Sequence, residues 1–296
     1  MATGPHSGTV TGGCYPENYV LIKYDEGSNS WSLEDQTTTG LPNGGHGYDL
    51  TSIDPTTGDV YVSVYNSNGL WRRNGIDGSW TKVGDNPIIS CNAQTCASGS
   101  TWDIRRNGYL RFGDSSESGV TIWRKDEANW SQLAPASEFG GFNAGYHFWA
   151  GYHRTSGIVW LHDGNGSSKH WRLNANDSIE ALRPPPISLG CCGNNGRFTT
   201  YDFRTDRFVV ADPYTNRFYD YDVEDDVWTS LGTKVPLNQS GAPEAFVAPI
   251  DAHGGVIMYV VGRGTGNDPK VYVYKHAGAE APEQSTPEAP KDFGAN

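Results

Sequence analysis

Residues Asn216 to Leu231 read NRFYDYDVEDDVWTSL, and this stretch decides the fold. A run of aromatic and β-branched residues ends in Tyr221-Asp222 and a polar turn follows. Trp228, seven residues after Tyr221, then opens a second run of strand formers. The pattern predicts a β-hairpin. Working outward, the same unit recurs with Tyr24 and Trp31, Trp71 and Trp80, Trp123 and Trp130, and Trp171 and Ile179. The second-strand anchors Trp31, Trp80, Trp130, Ile179 and Trp228 are 49, 50, 49 and 49 residues apart. A second marker, the turn before a hydrophobic strand, falls at Gly58, Gly108, Gly157, Asp206 and Gly255, with spacings of 50, 49, 49 and 49. Two independent markers keep one period, and a fixed period of this length means repeated supersecondary units.

Each unit reads as up to four short strands broken by Gly, Asn or Pro. A single twisted sheet cannot keep water off both faces, so neighbouring sheets must cover one another. The expected fold is all-β, a β-propeller of about six four-stranded blades, with five or seven as alternatives. The repeats fall at about 1–40, 44–85, 92–135, 140–186, 190–232 and 240–278. The first lacks its opening strand and the last stops where the next Trp is due, so strands from the two chain ends are expected to share a blade. Residues 279–296 are rich in Pro, Ala and Glu and read as a tail or linker.

The series YDEGSNSW, YDVEDDVW and WRKDEANW resembles kelch repeats and the central propeller domain of galactose-oxidase-like proteins, over residues 14 to 276. It departs from kelch where a Gly-Gly pair is usual. Phe112-Gly113-Asp114, His162-Asp163 and Ala211-Asp212 stand there instead. The Tyr/His copper constellation of galactose oxidase has no counterpart at matching positions, so the resemblance implies the fold and not that oxidase chemistry.

A net charge of −12 argues against nucleic-acid binding and against anionic membranes, both of which need basic surface. No run approaches a membrane span, and MATGPHSGTV lacks the charged-then-apolar pattern of a signal peptide. The surface composition suits an extracellular, secreted or particle-surface protein. Cys91 and Cys96, with four residues between them in a polar loop, fit a small disulfide of an oxidising compartment. Cys14, Cys191 and Cys192 leave the remaining connectivity open.

In a propeller, residues at one register of successive repeats converge on one mouth. His46, Tyr48, Tyr146, His147 and Arg197 form such a set, and would serve as bases, acids and a uronate-neutralising cation if the protein acts on a polysaccharide. The alternative is that they satisfy strand ends around a wet channel. Trp102, Trp149, Tyr65, Tyr214 and Glu244 are candidates for binding a sugar or protein, the aromatics by stacking. Asp114, Asp163 and Asp212, each 49 residues from the next, would either ring a structural Ca²⁺ or cap their own turns. No other cofactor is expected. No nucleophile elbow, phosphate loop or zinc-protease motif is present in the sequence.

The leading expectation is a recognition module that binds a glycan or protein through its loops, without chemistry of its own. A polysaccharide lyase or hydrolase is the second. A structural component of a viral or cell-surface assembly, with the C-terminal tail docking on a neighbouring subunit, is the third.

Overall fold

The computed structural model describes residues 5–7, 19–25, 28, 30–35, 50–63, 67–89, 99–112, 119–139, 148–163, 168–187, 189, 199–212, 217–234, 244–250, 256–263 and 267–275. Among them there is no α-helix. One 3₁₀ turn, Ala136–Phe139, interrupts an all-β structure. Among the described residues no helix is long and apolar enough to cross a membrane.

The first sheet holds β1 (Pro5–Ser7), β2 (Tyr19–Asp25) and β3 (Ser30–Asp35). Four-stranded sheets follow. The second is β4 (Thr51–Ile53), β5 (Val60–Ser63), β6 (Gly69–Arg73) and β7 (Trp80–Asp85), and the third is β8 (Ser100–Asp103), β9 (Gly108–Phe112), β10 (Val120–Arg124) and β11 (Asn129–Ala134). The fourth comprises β12 (Trp149–Tyr152), β13 (Val159–His162), β14 (His170–Leu173) and β15 (Ile179–Ala181). The fifth comprises β16 (Thr199–Asp202), β17 (Arg207–Asp212), β18 (Arg217–Asp222) and β19 (Val227–Lys234). The last, three-stranded, is β20 (Glu244–Ile250), β21 (Val256–Arg263) and β22 (Asn267–Lys275).

In every sheet the strands lie in chain order and pair antiparallel. The lead strands β4, β8, β12, β16 and β20 follow one another side by side, with Cα atoms within 8 Å from each to the next. Sheets that fan out from adjacent lead strands are the arrangement of a β-propeller. The two ends of the chain depart from expectation here. β1 and β20 open separate three-stranded sheets, and among the described residues no sheet contains strands from both ends.

The core lies between sheets rather than within them. Tyr61 and Leu70 of the second sheet pack on Trp102, Tyr109 and Trp123 of the third. The Tyr109 hydroxyl also donates to the Leu50 carbonyl at 2.8 Å, tying the same two sheets. Leu110, Phe112 and Ile122 meet Ala150, Leu161 and Trp171 of the fourth. Trp160, fully buried, centres the next interface. Its ring lies 4.6 Å from Tyr221, 5.1 Å from Phe208 and 5.2 Å from Trp149, centre to centre. Tilted and edge-on pairs of this kind add about 0.5–1.5 kcal/mol each beyond their burial.

Register refines the sequence pattern. Tyr24 faces Trp31, Trp123 faces Trp130 and Tyr221 faces Trp228 across the hairpin, as their common spacing implies. In the second and fourth sheets the matching partners of Trp80 and Ile179 are Arg73 and Leu173, whereas Trp71 and Trp171 sit two residues earlier. The third-strand aromatics Trp71, Trp123, Trp171 and Tyr221 are all buried. The anchors Trp80, Ile179 and Trp228 are only half-buried, because the fourth strand is the outer edge of each sheet.

The turn marker also shifts at one repeat. The left-handed residues are Gly58, Asn107, Gly157 and Asp206, so Asn107, and not Gly108, turns the chain. Gly108 opens β9 for a different reason: a Cβ there would sit 2.5 Å from the Trp123 carbonyl oxygen.

Candidate binding faces

Antiparallel alternation sorts the connections onto two ends. The tight turns β4–β5, β6–β7, β8–β9, β10–β11, β12–β13, β14–β15, β16–β17 and β18–β19 share one end. The segments joining second to third strands, and each sheet to the next, leave from the other.

At the tight-turn end a polar residue closes each first strand: Asp54, Asp103, His153 and Asp202, all buried. Asp54 accepts the Thr56 amide at 2.9 Å and the Thr57 hydroxyl at 3.0 Å. Asp103 accepts the Arg106 amide at 2.8 Å, and Asp202 the Arg204 amide at 3.0 Å. Such a carboxylate mimics a backbone turn acceptor and so fixes the reversal. His153 takes the same place with an imidazole. Its Nδ1 accepts the Ser156 amide at 3.3 Å, which leaves the proton on Nε2, 3.2 Å from the Asp206 carbonyl. The sequence carries this register, four residues before each left-handed residue. It is hidden among ordinary turn aspartates and is broken by the His.

These caps are also joined from sheet to sheet. Lys125 Nζ donates to Asp54 at 2.6 Å. Burial pushes the Asp54 carboxyl up, but hydrogen bonds from Lys125, Thr56 and Thr57 outweigh it and hold it below its ordinary value. The Arg106 side chain, 6% exposed, donates to Asp103, to Asp177 at 2.6 Å and to the Asn174 carbonyl at 2.7 Å. Arg172 reaches the Val223 carbonyl at 2.9 Å, and Arg183 meets Asp226 at 3.0 Å. No periodicity in the sequence announces these ties, because each uses a different residue.

His153, Asp206 and Glu224 bring three ligand atoms within 4.8 Å of one another. The Asp206 carboxylate is already engaged by Thr155 at 2.9 Å and by the Tyr201 hydroxyl. One imidazole with two carboxylates also differs from the all-oxygen shell that Ca²⁺ takes. As built, the group is a hydrogen-bonded lock between the fourth and fifth sheets.

Few residues singled out by sequence are described at the other end; His46, Tyr48, Tyr65, Cys91, Cys96, Asp114, Tyr146, His147, Arg197 and Tyr214 lie outside the described residues. Glu244 begins β20 at this end. Asp163 and Asp212 are buried where β13 and β17 finish, and neither belongs to a three-ligand group among the described residues. Trp149 and Trp102 are not loop aromatics. Trp149 is 7% exposed and stacks on His162 at 5.1 Å, while Trp102, 4% exposed, stacks on Tyr61 at 4.7 Å. Their area is spent on the contacts between sheets, which takes them out of any stacking surface.

Two buried histidines underlie this region. Burial drives His162 down to about 3, so it is neutral, with Nδ1 3.3 Å from the Asp163 carbonyl. His170 is lowered by burial as well. The Trp160 indole donates to its Nδ1 at 3.0 Å, and its Nε2 then donates to the Arg183 carbonyl.

No protein-family model matches the chain, and no curated protein does. Solved structures do. A nidogen/laminin complex matches at a TM-score of 0.56 and 11% identity, over 84% of this chain and 83% of that one. A structural-genomics protein of unknown function from Bacteroides thetaiotaomicron matches at 0.55 and 12%, over 87% and 67%. An auxiliary nutrient binding protein from the same organism matches at 0.50 and 9%, over 77% and 55%. At such identities the likeness speaks to the fold alone. It supports a β-propeller without singling out kelch.

Proposed function

We propose that the protein is an extracellular or particle-surface recognition module, a six-bladed kelch-like propeller without chemistry of its own, which binds a protein or glycan through its long-connection end. The division of the two ends carries this reading. At one end the reversals are short and held by turn caps and cross-sheet ties, while the longer connections, the usual bearers of binding residues on a rigid scaffold, leave from the other. Similarity to a propeller solved in a laminin complex and to a nutrient binding protein agrees with a binding role. Fold likeness does not choose between partners, so the partner must come from the site.

The test is a glycan array and a binding screen against extracellular-matrix proteins, run with wild type and with Tyr65→Ala, His147→Ala, Arg197→Ala and Tyr214→Ala. Binding that these substitutions weaken supports the reading. Turnover of an acidic polysaccharide to unsaturated products, abolished by His147→Ala, overturns it in favour of a lyase.

A further inference from the structure

The tight-turn end carries a charge pattern that the fold does not use. Arg105, Arg154 and Arg204 are exposed in the turns that follow β8, β12 and β16, three neighbouring lead strands. Among the described residues none of the three guanidinium groups has a hydrogen-bonding or ionic partner. Arg72, Arg106, Arg124, Arg172, Arg183 and Arg207 by contrast each meet a carboxylate. The Arg154 guanidinium lies 5.6 Å from the Phe203 ring centre, and Ile104, 39% exposed, stands beside Arg105. Outside this arc, the turns after the third strands expose Asp77, Asp126, Glu127, Asp177, Glu224 and Asp225.

A basic inner arc therefore sits within an acidic rim, on a chain whose net charge is −12. We propose that this face is a docking surface for a protruding acidic segment of a partner protein, with carboxylates for the three arginines and an apolar side chain for Phe203 and Ile104. Arginine and aromatic residues together are the composition of protein-binding centres. The rim selects the shape of the partner. A long polyanion such as a sulfated glycan would have to cross like charge, whereas a narrow loop reaches the arc without doing so. The surface uses none of the residues of the long-connection end, so it stands or falls separately from that reading.

The probe is a fluorescein-labelled peptide of four glutamates around one phenylalanine, compared with its glutamine analogue and with a heparin hexasaccharide. Binding is followed by anisotropy at low and high salt. Wild type should bind the acidic peptide in preference to both comparators, with affinity falling as salt rises. The triple variant Arg105→Gln, Arg154→Gln, Arg204→Gln should lose about tenfold or more, and Arg217→Gln at the opposite end nothing. Single Arg→Gln variants guard against misfolding of the triple, and each should weaken binding with an unchanged melting temperature. Absence of peptide binding, equal binding by the triple variant, or tighter binding of heparin overturns the proposal.

Discussion

The two ends of the sheets solve opposite problems. At the tight-turn end, backbone reversals of a few residues are capped by Asp54, Asp103, His153 and Asp202, and sheets are joined by Lys125, Arg106 and Arg183. At the other end, buried Trp149, His162 and His170 stand at the strand ends where the longer connections begin. Short turns leave little backbone to order and can be held by single side chains. Long connections carry more conformational entropy, and are free to vary where the scaffold does not need them. Rigidity at one end is what the proposed binding role of the other requires.

The largest expected effect tests that contrast directly. Arg106→Ala leaves Asp103, which is fully buried, without its cation, and should cost about 3–5 kcal/mol in urea denaturation. A cost below about 1 kcal/mol would mean that the turn end is not held by its ion pairs.

Acid should then act from the opposite end. His162 titrates near 6.5 when unfolded and is held down to about 3 by burial. As pH falls through that window the unfolded chain takes up a proton that the fold refuses. Stability is therefore complete above about pH 6.5 and declines below it, by about 2–3 kcal/mol at pH 4.5 from this residue. His170 acts in the same direction. Melting temperatures from pH 7 to 4.5 should fall less steeply in His162→Phe, and parallel slopes would contradict the assignment.

A smaller effect separates cap from tie. Lys125→Met removes the ammonium from Asp54 but keeps its two turn hydrogen bonds, and should cost about 1–2 kcal/mol. Asp54→Ala should cost more, since it removes the cap as well. Smallest of all, Tyr65→Ala or His147→Ala should shift stability by no more than about 0.5 kcal/mol if those residues serve binding. EDTA should leave the melting temperature unchanged if no structural Ca²⁺ contributes; a drop of several degrees would revive the carboxylates Asp114, Asp163 and Asp212 as its holders.

Legibility followed periodicity. Strands of the described sheets could be placed from the 49-residue spacing because each repeat must bury the same faces against its neighbours. Trp102 and Trp149 lie buried between sheets, which the sequence does not show, because an aromatic beside a turn looks the same in sequence whether it enters a loop or the gap between sheets. The positions of Trp71 and Trp171 relative to their hairpin partners show the same limit, since a two-residue offset keeps the face and changes only the neighbour.

The amino-acid sequence by itself determined that the protein is made of repeated antiparallel sheets, since that follows from local strand preference and a recurring need for burial. Only the tertiary structure decided that His153 replaces an aspartate in a turn, that Arg106 and Lys125 bind across sheets, and that Arg105, Arg154 and Arg204 remain free of such partners among the described residues. Those pairings depend on which residues of different repeats arrive side by side. That distance is set by the packing of whole sheets, and no local pattern encodes it.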